Sequence, residues 1–138
     1  MSDSSDLDNA LVALLGADTA LLALCPNGAY LDEAPAGSTR YVIVRVVDSV
    51  DEPMFSARAF ENVLYEVEAR MLSTANGNIK SAAARIDVLL EQQTLTVNGY
   101  GVSTLRRESR IRMTEVDDVN PKLRWFRRGG QYRLVGSS

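Results

Sequence analysis

Residues Asn62 to Leu72, NVLYEVEARML, form the longest run in which apolar and polar side chains alternate with a period of two. Val63, Tyr65, Val67, Ala69 and Met71 fall on one face, and Leu64, Glu66, Glu68 and Arg70 on the other, which predicts a central strand with one buried and one half-wet face. Asn76-Gly77-Asn78 breaks the run. Ile79, Ala82, Ala83, Ile86, Leu89 and Leu90 then recur at the three-and-four spacing of an amphipathic helix, expected at about 78–92 and packed on the strand.

Ahead of that strand, Leu7 to Cys25 carries two short helical patterns, with Asp6 and Asp18 as caps and Gly16 as the joint. Pro26-Asn27-Gly28 ends them, Ala29-Tyr30-Leu31 reads as a brief strand, and Asp32 to Gly37 as a loop. Tyr41 to Val47 is β-branched and almost wholly apolar, a second inner strand with Val42, Val44 and Val46 toward the helices. Asp48 to Ala59 keeps no period and contains Pro53. It is expected to be a long surface loop, or an arm that orders only against a neighbouring copy, and Met54 and Phe55 at its middle favour the arm.

Behind the helix, Thr94 to Val97 alternates again and Asn98-Gly99 signals a hairpin, with a return strand from about Gly101 to Thr114. Unbroken alternation there puts Leu105, Ser109, Ile111 and Met113 on one face and Arg106, Glu108, Arg110 and Arg112 on the other. Asp117 to Pro121 is a turn. In Lys122 to Val135, Gly129-Gly130 allows a tight hairpin or one long strand with a glycine bulge, and the long strand is favoured because it pairs along its whole length. The expected fold is α+β, a mainly antiparallel sheet with helices packed on one face. Its core is expected to hold Val42, Val44, Val46, Tyr65, Val67, Ala69 and Ile111, covered by Leu11, Leu14, Ile86 and Leu90.

At 138 residues and 46% hydrophobic, the chain suits a single domain spanning 1–138, with 1–5 and 136–138 expected to be disordered. The acidic start lacks the marks of a signal peptide and no apolar run reaches membrane length, so no membrane partner is expected. One cysteine, Cys25, excludes an intrachain disulfide and suits a small buried hydrophobe. With no histidine at all, the commonest general base and metal ligand are missing. The carboxylate pairs Asp32/Glu33, Asp51/Glu52 and Asp117/Asp118 sit beside Gly or Pro as turn residues do, and neither a phosphate-binding loop nor a nucleophile elbow occurs. No enzyme, metal or cofactor is expected.

Charge is placed unevenly. Residues 1–69 carry three basic and twelve acidic side chains, whereas 70–138 carry twelve basic and six acidic, so the halves stand at -9 and +6. Arg106, Arg107, Arg110, Arg112, Arg124, Arg127, Arg128 and Arg133, interleaved with Trp125, Phe126 and Tyr132, permit a small nucleic-acid-binding module as an alternative. The acids among them speak for a subunit-facing or solvated strand surface instead.

The order of elements resembles the tail terminator or tail completion family of long-tailed bacteriophages. The likeness rests on the leucine-rich start from Leu7 to Leu24, the short strand near Tyr30, Glu33-Ala34-Pro35-Ala36-Gly37 before Tyr41-Val42-Ile43-Val44, the helix ending Leu89-Leu90, and Arg127-Arg128-Gly129-Gly130-Gln131-Tyr132-Arg133-Leu134. Many relatives carry a histidine in the last strand where this chain has Arg127 or Arg128.

The resemblance implies a non-enzymatic ring, commonly a hexamer, that is assembled in the host cytoplasm and resides in the tail or neck of the virion. It would cap the tube of major tail protein and meet a head-completion or connector protein, with genome DNA passing through its lumen unbound. On that reading Met54, Phe55, Arg106, Arg110, Arg112 and Trp125 are candidates for the subunit or tube interface. Asp32, Glu33, Asp48, Asp51 and Glu52 are candidates for the lumen, where acids let phosphate slide.

Overall fold

The computed structural model describes residues 4–54, 57–73, 78–95 and 103–137. Helices α1 (Ser4–Ala17) and α2 (Thr19–Leu24) lead into strands β1 (Ala29–Leu31), β2 (Arg40–Met54) and β3 (Ala57–Ser73). Helix α3 (Ile79–Leu90) follows, and the chain ends with β4 (Ser103–Val116) and β5 (Arg124–Ser137). The fold is α+β, with three helices and a five-stranded sheet in the order β1-β2-β3-β5-β4. The sheet is mixed, because β1 runs parallel to β2 while the other three pairs are antiparallel.

The alternation in β3 is realised as expected: Val63, Tyr65, Val67, Ala69 and Met71 are buried. They join Val42, Val44, Leu105, Tyr132 and Leu134 from the neighbouring strands, and Leu7, Leu11, Leu15, Leu21, Ile79, Ala82, Ile86 and Leu90 from the helices, in one core. Burying a Val- or Leu-sized side chain contributes about 1.5 to 3 kcal/mol, so this cluster is the main source of stability. The joint between α1 and α2 is Asp18 rather than Gly16, which lies inside α1. The Asp18 carboxylate caps α2 by accepting from the Leu21 amide and forms a two-pronged ion pair with Arg85 of α3 at 2.7 and 2.8 Å. Hydrogen bonding from Arg85 holds the Asp18 carboxyl down at about 2, against the opposing effect of burial. Cys25 closes α2 as a buried apolar residue, and burial pushes its thiol up to about 11.

Several expectations change. The stretch 48–59 is paired strand over its described residues: Asp48 to Met54 pairs with Ala57 to Leu64 in a long hairpin, and only residues 55 and 56 lie outside the described set. Val46 is 43% exposed rather than core, because β1 ends level with Val44 and, among the described residues, leaves β2 as the edge of the sheet beyond it. Leu14 and Ile111 are half-buried. The expected strand at 94–97 is reduced to a bridge between Thr94 and Thr104, and the Asn98-Gly99 turn lies outside the described residues. Helix and strand also reach into the expected tails, α1 starting at Ser4 and β5 ending at Ser137.

Strand β5 is one unbroken strand, as favoured, but the bulge is in β4, between Arg107 and Ser109, and not at the glycines. The glycines are required by contact. A Cβ on Gly129 would lie 2.0 Å from the Val67 carbonyl oxygen and 2.6 Å from the Glu68 Cα, backbone atoms of the central strand that cannot yield. Gly16 is surrounded by open space. Gly129→Ala is therefore expected to lower stability by about 1 to 3 kcal/mol or more, while Gly16→Ala, in a helix, raises it by up to about 1 kcal/mol. Urea denaturation of the two variants checks both signs.

Candidate functional site

Two features of the sheet are left over once the core is made: a charged face and two bare edges. The face opposite the core carries Glu66, Glu68 and Arg70 of β3, Arg45 of β2, Arg127 and Arg133 of β5, and Glu108 and Glu115 of β4. Glu68 is 0% exposed, although a carboxylate in mid-sheet pays a large desolvation penalty unless it is paired. Its Oε1 accepts from Arg70 at 2.7 Å, Arg127 at 2.9 Å and Arg45 at 3.2 Å. Arg45 also meets Glu66 at 3.5 Å, and Arg127 also donates to Glu115 at 2.7 Å. The result is an ionic chain, Glu66–Arg45–Glu68–Arg127–Glu115, crossing all four long strands. Burial acts to lower the Arg127 pKa, but the hydrogen bonds and charges of Glu68 and Glu115 outweigh it, and the net shift is upward. Further along, Arg133 pairs with both oxygens of Glu108.

A recess of about 350 Å³ opens at one end of this face, lined by Tyr41, Arg70, Glu115, Asp117, Trp125 and Arg127. Trp125 stands edge-on to Tyr41, with ring centres 5.9 Å apart, and its Nε1 donates to Asp117 Oδ1 at 3.1 Å. The Asp117 to Pro121 turn is thereby tied to β5, with Asp117 also accepting from the Asn120 amide. Among the described residues no group of three or more potential ligands could hold a metal ion.

The edges are stepped. On one side β1 covers β2 at Val42 to Val44, flanked by the Asn27 amide on the Arg40 carbonyl and the Asp32 amide on the Val44 carbonyl, and beyond Val44 β2 is bare among the described residues. On the other side the segment 91–94 covers β4 only near Thr104 to Arg107: Thr94 bridges Thr104, Leu105 donates to the Gln93 carbonyl, and the Arg107 amide to the Glu91 carboxylate. The rest of β4, to Val116, is bare among the described residues. Arg107 itself is drawn inward, pairing with Asp87 of α3 at 2.7 Å, and the Tyr132 hydroxyl donates to the same carboxylate.

The candidate residues sort onto these edges. Asp32 and Glu33 are exposed directly after β1, and Asp48, Asp51 and Glu52 lie on the bare half of β2, so all five acids share one edge. Arg106, Arg110 and Arg112 are exposed on β4, the opposite edge. They do not share one face as unbroken alternation implies. The bulge reverses the phase, leaving Arg106 opposite Arg133 on the charged face and Arg110 and Arg112 opposite Gly130 and Arg128 on the helix side. Neither Arg110 nor Arg112 makes a salt bridge among the described residues. Met54 ends β2, paired with Ala57, and Phe55 lies outside the described residues. Trp125 is half-buried and already engaged. The Glu68 cluster was not singled out from the sequence; the Glu-x-Glu-x-Arg rhythm of β3 is visible there, but its partners Arg45 and Arg127 become neighbours only through the register.

The sequence profile of the family described as tail completion protein gp17 matches residues 9–132. One solved structure, a chain in the virion of a native gene transfer agent particle, superposes with a TM-score of 0.70 at 17% identity, covering 98% of this chain and 97% of that one. A second solved structure superposes with a TM-score of 0.60 at 11% identity, covering 100% and 97%. No curated protein sequence matches significantly.

Glu68→Gln is expected to leave three guanidinium groups converging without their counter-charge. Stability should fall by about 2 to 4 kcal/mol, somewhat less than for a fully buried pair because Arg45 and Arg70 reach solvent. Urea denaturation measures this, and a change below about 0.5 kcal/mol would mean that the cluster is ornamental.

Proposed function

Because this chain belongs to the tail completion protein gp17 family, and is thus a structural protein of the phage virion at its tail or neck, we propose that copies of it close into a ring that caps the tail tube and offers the surface on which the head is joined. Six copies are the arrangement proposed, and no catalysis is involved. The observation that carries the reading is the opposite charge of the two bare edges of a single sheet. A heterologous contact, acid edge to arginine edge, uses that asymmetry on every copy and closes when the rotation closes.

The charged face suits a channel that DNA crosses without being held. Arg45, Arg70, Arg127 and Arg133 are each matched by a carboxylate, and with Arg106 the exposed exception at the β4 edge, little net positive field remains there to grip phosphate. The same pairing weighs against the alternative of a nucleic-acid-binding module, since Arg107, Arg127 and Arg133 are committed to Asp87, Glu68 with Glu115, and Glu108. Asp48, Asp51 and Glu52, on the far half of the hairpin, remain candidates for the lumen. Asp32 and Glu33, beside β1, serve a neighbouring copy better. The Met54 and Phe55 end of the hairpin is the candidate contact to the tail tube protein, and the opposite end of the sheet, near Asp117 and Trp125, to the head-completion or connector protein.

Exposed ion pairs contribute only about 0.2 to 1 kcal/mol each, so charge guides the register while backbone and apolar contacts hold the ring. Reversing both Arg110 and Arg112 to Glu is expected to abolish capping of tail tubes while leaving the melting temperature nearly unchanged, as these side chains are exposed and make no salt bridge among the described residues. Electron microscopy of tubes incubated with the variant reads the outcome. Capping equal to the parent's, and no more sensitive to salt, would remove this edge from the interface.

A further inference from the structure

The registers allow positions to be followed straight across the sheet, and they place the two edges at matching heights. Arg112 lies opposite Arg128, which lies opposite Ala69, then Val42, then Ala29. Two residues along, Arg110 leads through Gly130, Val67 and Val44 to Leu31, the last residue before Asp32 and Glu33. Four strand spacings, about 19 Å, separate the two ends of each line.

The steps in the edges are also complementary. Strand β1 protrudes at the height of Arg110 and Arg112, where β4 is bare. The 91–94 segment protrudes at the height of Thr104 to Arg107, which by the same lines is the height of Val46 to Val50, where β2 is bare. Direction agrees as well. Strand β1 follows β2, and three antiparallel steps from β2 to β4 leave β4 opposed to both. Rotation about an axis along the strands keeps every height, so β4 of one copy arrives antiparallel beside β1 of the next.

The geometry points to β-sheet continuation between copies: β4 of one subunit adds its bare edge, around Arg110 to Arg112, to the outer edge of β1 of its neighbour. Arg112 then stands opposite Ala29, and Arg110 opposite Leu31, within side-chain reach of Asp32 and Glu33. This rests on the ring reading above and specifies its contact. Main-chain hydrogen bonds supply adhesion, as in strand addition generally, and the flanking charges select the partner edge. Arginine-bearing β4 repels another β4, and the acidic edge repels another acidic edge, so only the head-to-tail joint is allowed.

The test is a disulfide across the joint. Ala29→Cys with Arg112→Cys puts two thiols at directly opposite positions of an antiparallel pair, within the Cα separation that a disulfide spans. Ala29→Cys with Arg110→Cys is the control, out of register by two residues. Cys25 is buried and stays in place. Each protein is bound to tail tubes, sedimented, and only then mildly oxidised and run under denaturing conditions. The expected result is a ladder of linked copies from the Arg112 pair, formed at least about ten times faster than from the Arg110 pair, and none from either single variant. Rings that sediment with tubes but give no ladder, or give the two ladders equally fast, would overturn the strand joint while leaving the ring intact. Protein that sediments with tubes only as single copies would overturn the ring and the joint together.

Discussion

Strand β3 has to be satisfied on both faces and both edges, and the rest of the molecule follows from how this is done. Its edges are taken by β2 and β5, which flank it on both sides from Phe60 to Met71. One face is apolar and is covered by side chains of α1, α2 and α3. The other face carries Glu68, and a buried carboxylate cannot be left alone without a cost of several kcal/mol. Arg45, Arg70 and Arg127 gather on it from three strands, which ties the register of β2 to that of β5. Gly129 completes the arrangement, because any side chain there would displace the backbone of Val67 and Glu68.

What could be read from the sequence was whatever depends on local periodicity. The buried face of β3 and the core helix α3 follow from spacing, since side-chain direction has a fixed period in helices and strands, while the short β1 follows from the Pro26-Asn27-Gly28 break and the unbroken β5 from the partner it can pair with along its length. What could not be read depends on pairing. The sequence predicts a loop at 48–59 because this stretch keeps no period, carries acids in its first half and contains Pro53, yet a strand held by backbone bonds to its partner needs no regular alternation. Val46 has a core residue's side chain at a position where the sheet runs out of neighbours. The bulge after Arg107 has no marker in the sequence, and it alone moves Arg110 and Arg112 to the other side of the sheet from Arg106. The candidate interface was thus legible as a set of residue types and as an uneven charge. Its division into two opposite edges appeared only with the strand order.

Bare strand edges are ordinarily a hazard, because any other edge can pair with them. Here the two edges differ in charge, step at different heights and run in opposite directions, so a copy is a poor partner for itself edge on like edge and a good one head to tail. The same chain pairs four arginines of its charged face internally, Arg45, Arg70, Arg127 and Arg133 each meeting a carboxylate. Among the described residues Arg106, Arg110 and Arg112 of β4 make no salt bridge, and Arg110 and Arg112 stand at the edge where a neighbour is proposed. The distribution of paired and exposed arginine is therefore what links the fold to the proposed assembly role.

Whether the protein ends the tail tube and readies it for the head is decided by negative-stain imaging of particles assembled in cells that lack it. Without it, tails are expected to be overlong or of irregular length and to stand apart from filled heads. Tails of normal length attached to heads in the absence of the protein would contradict that role.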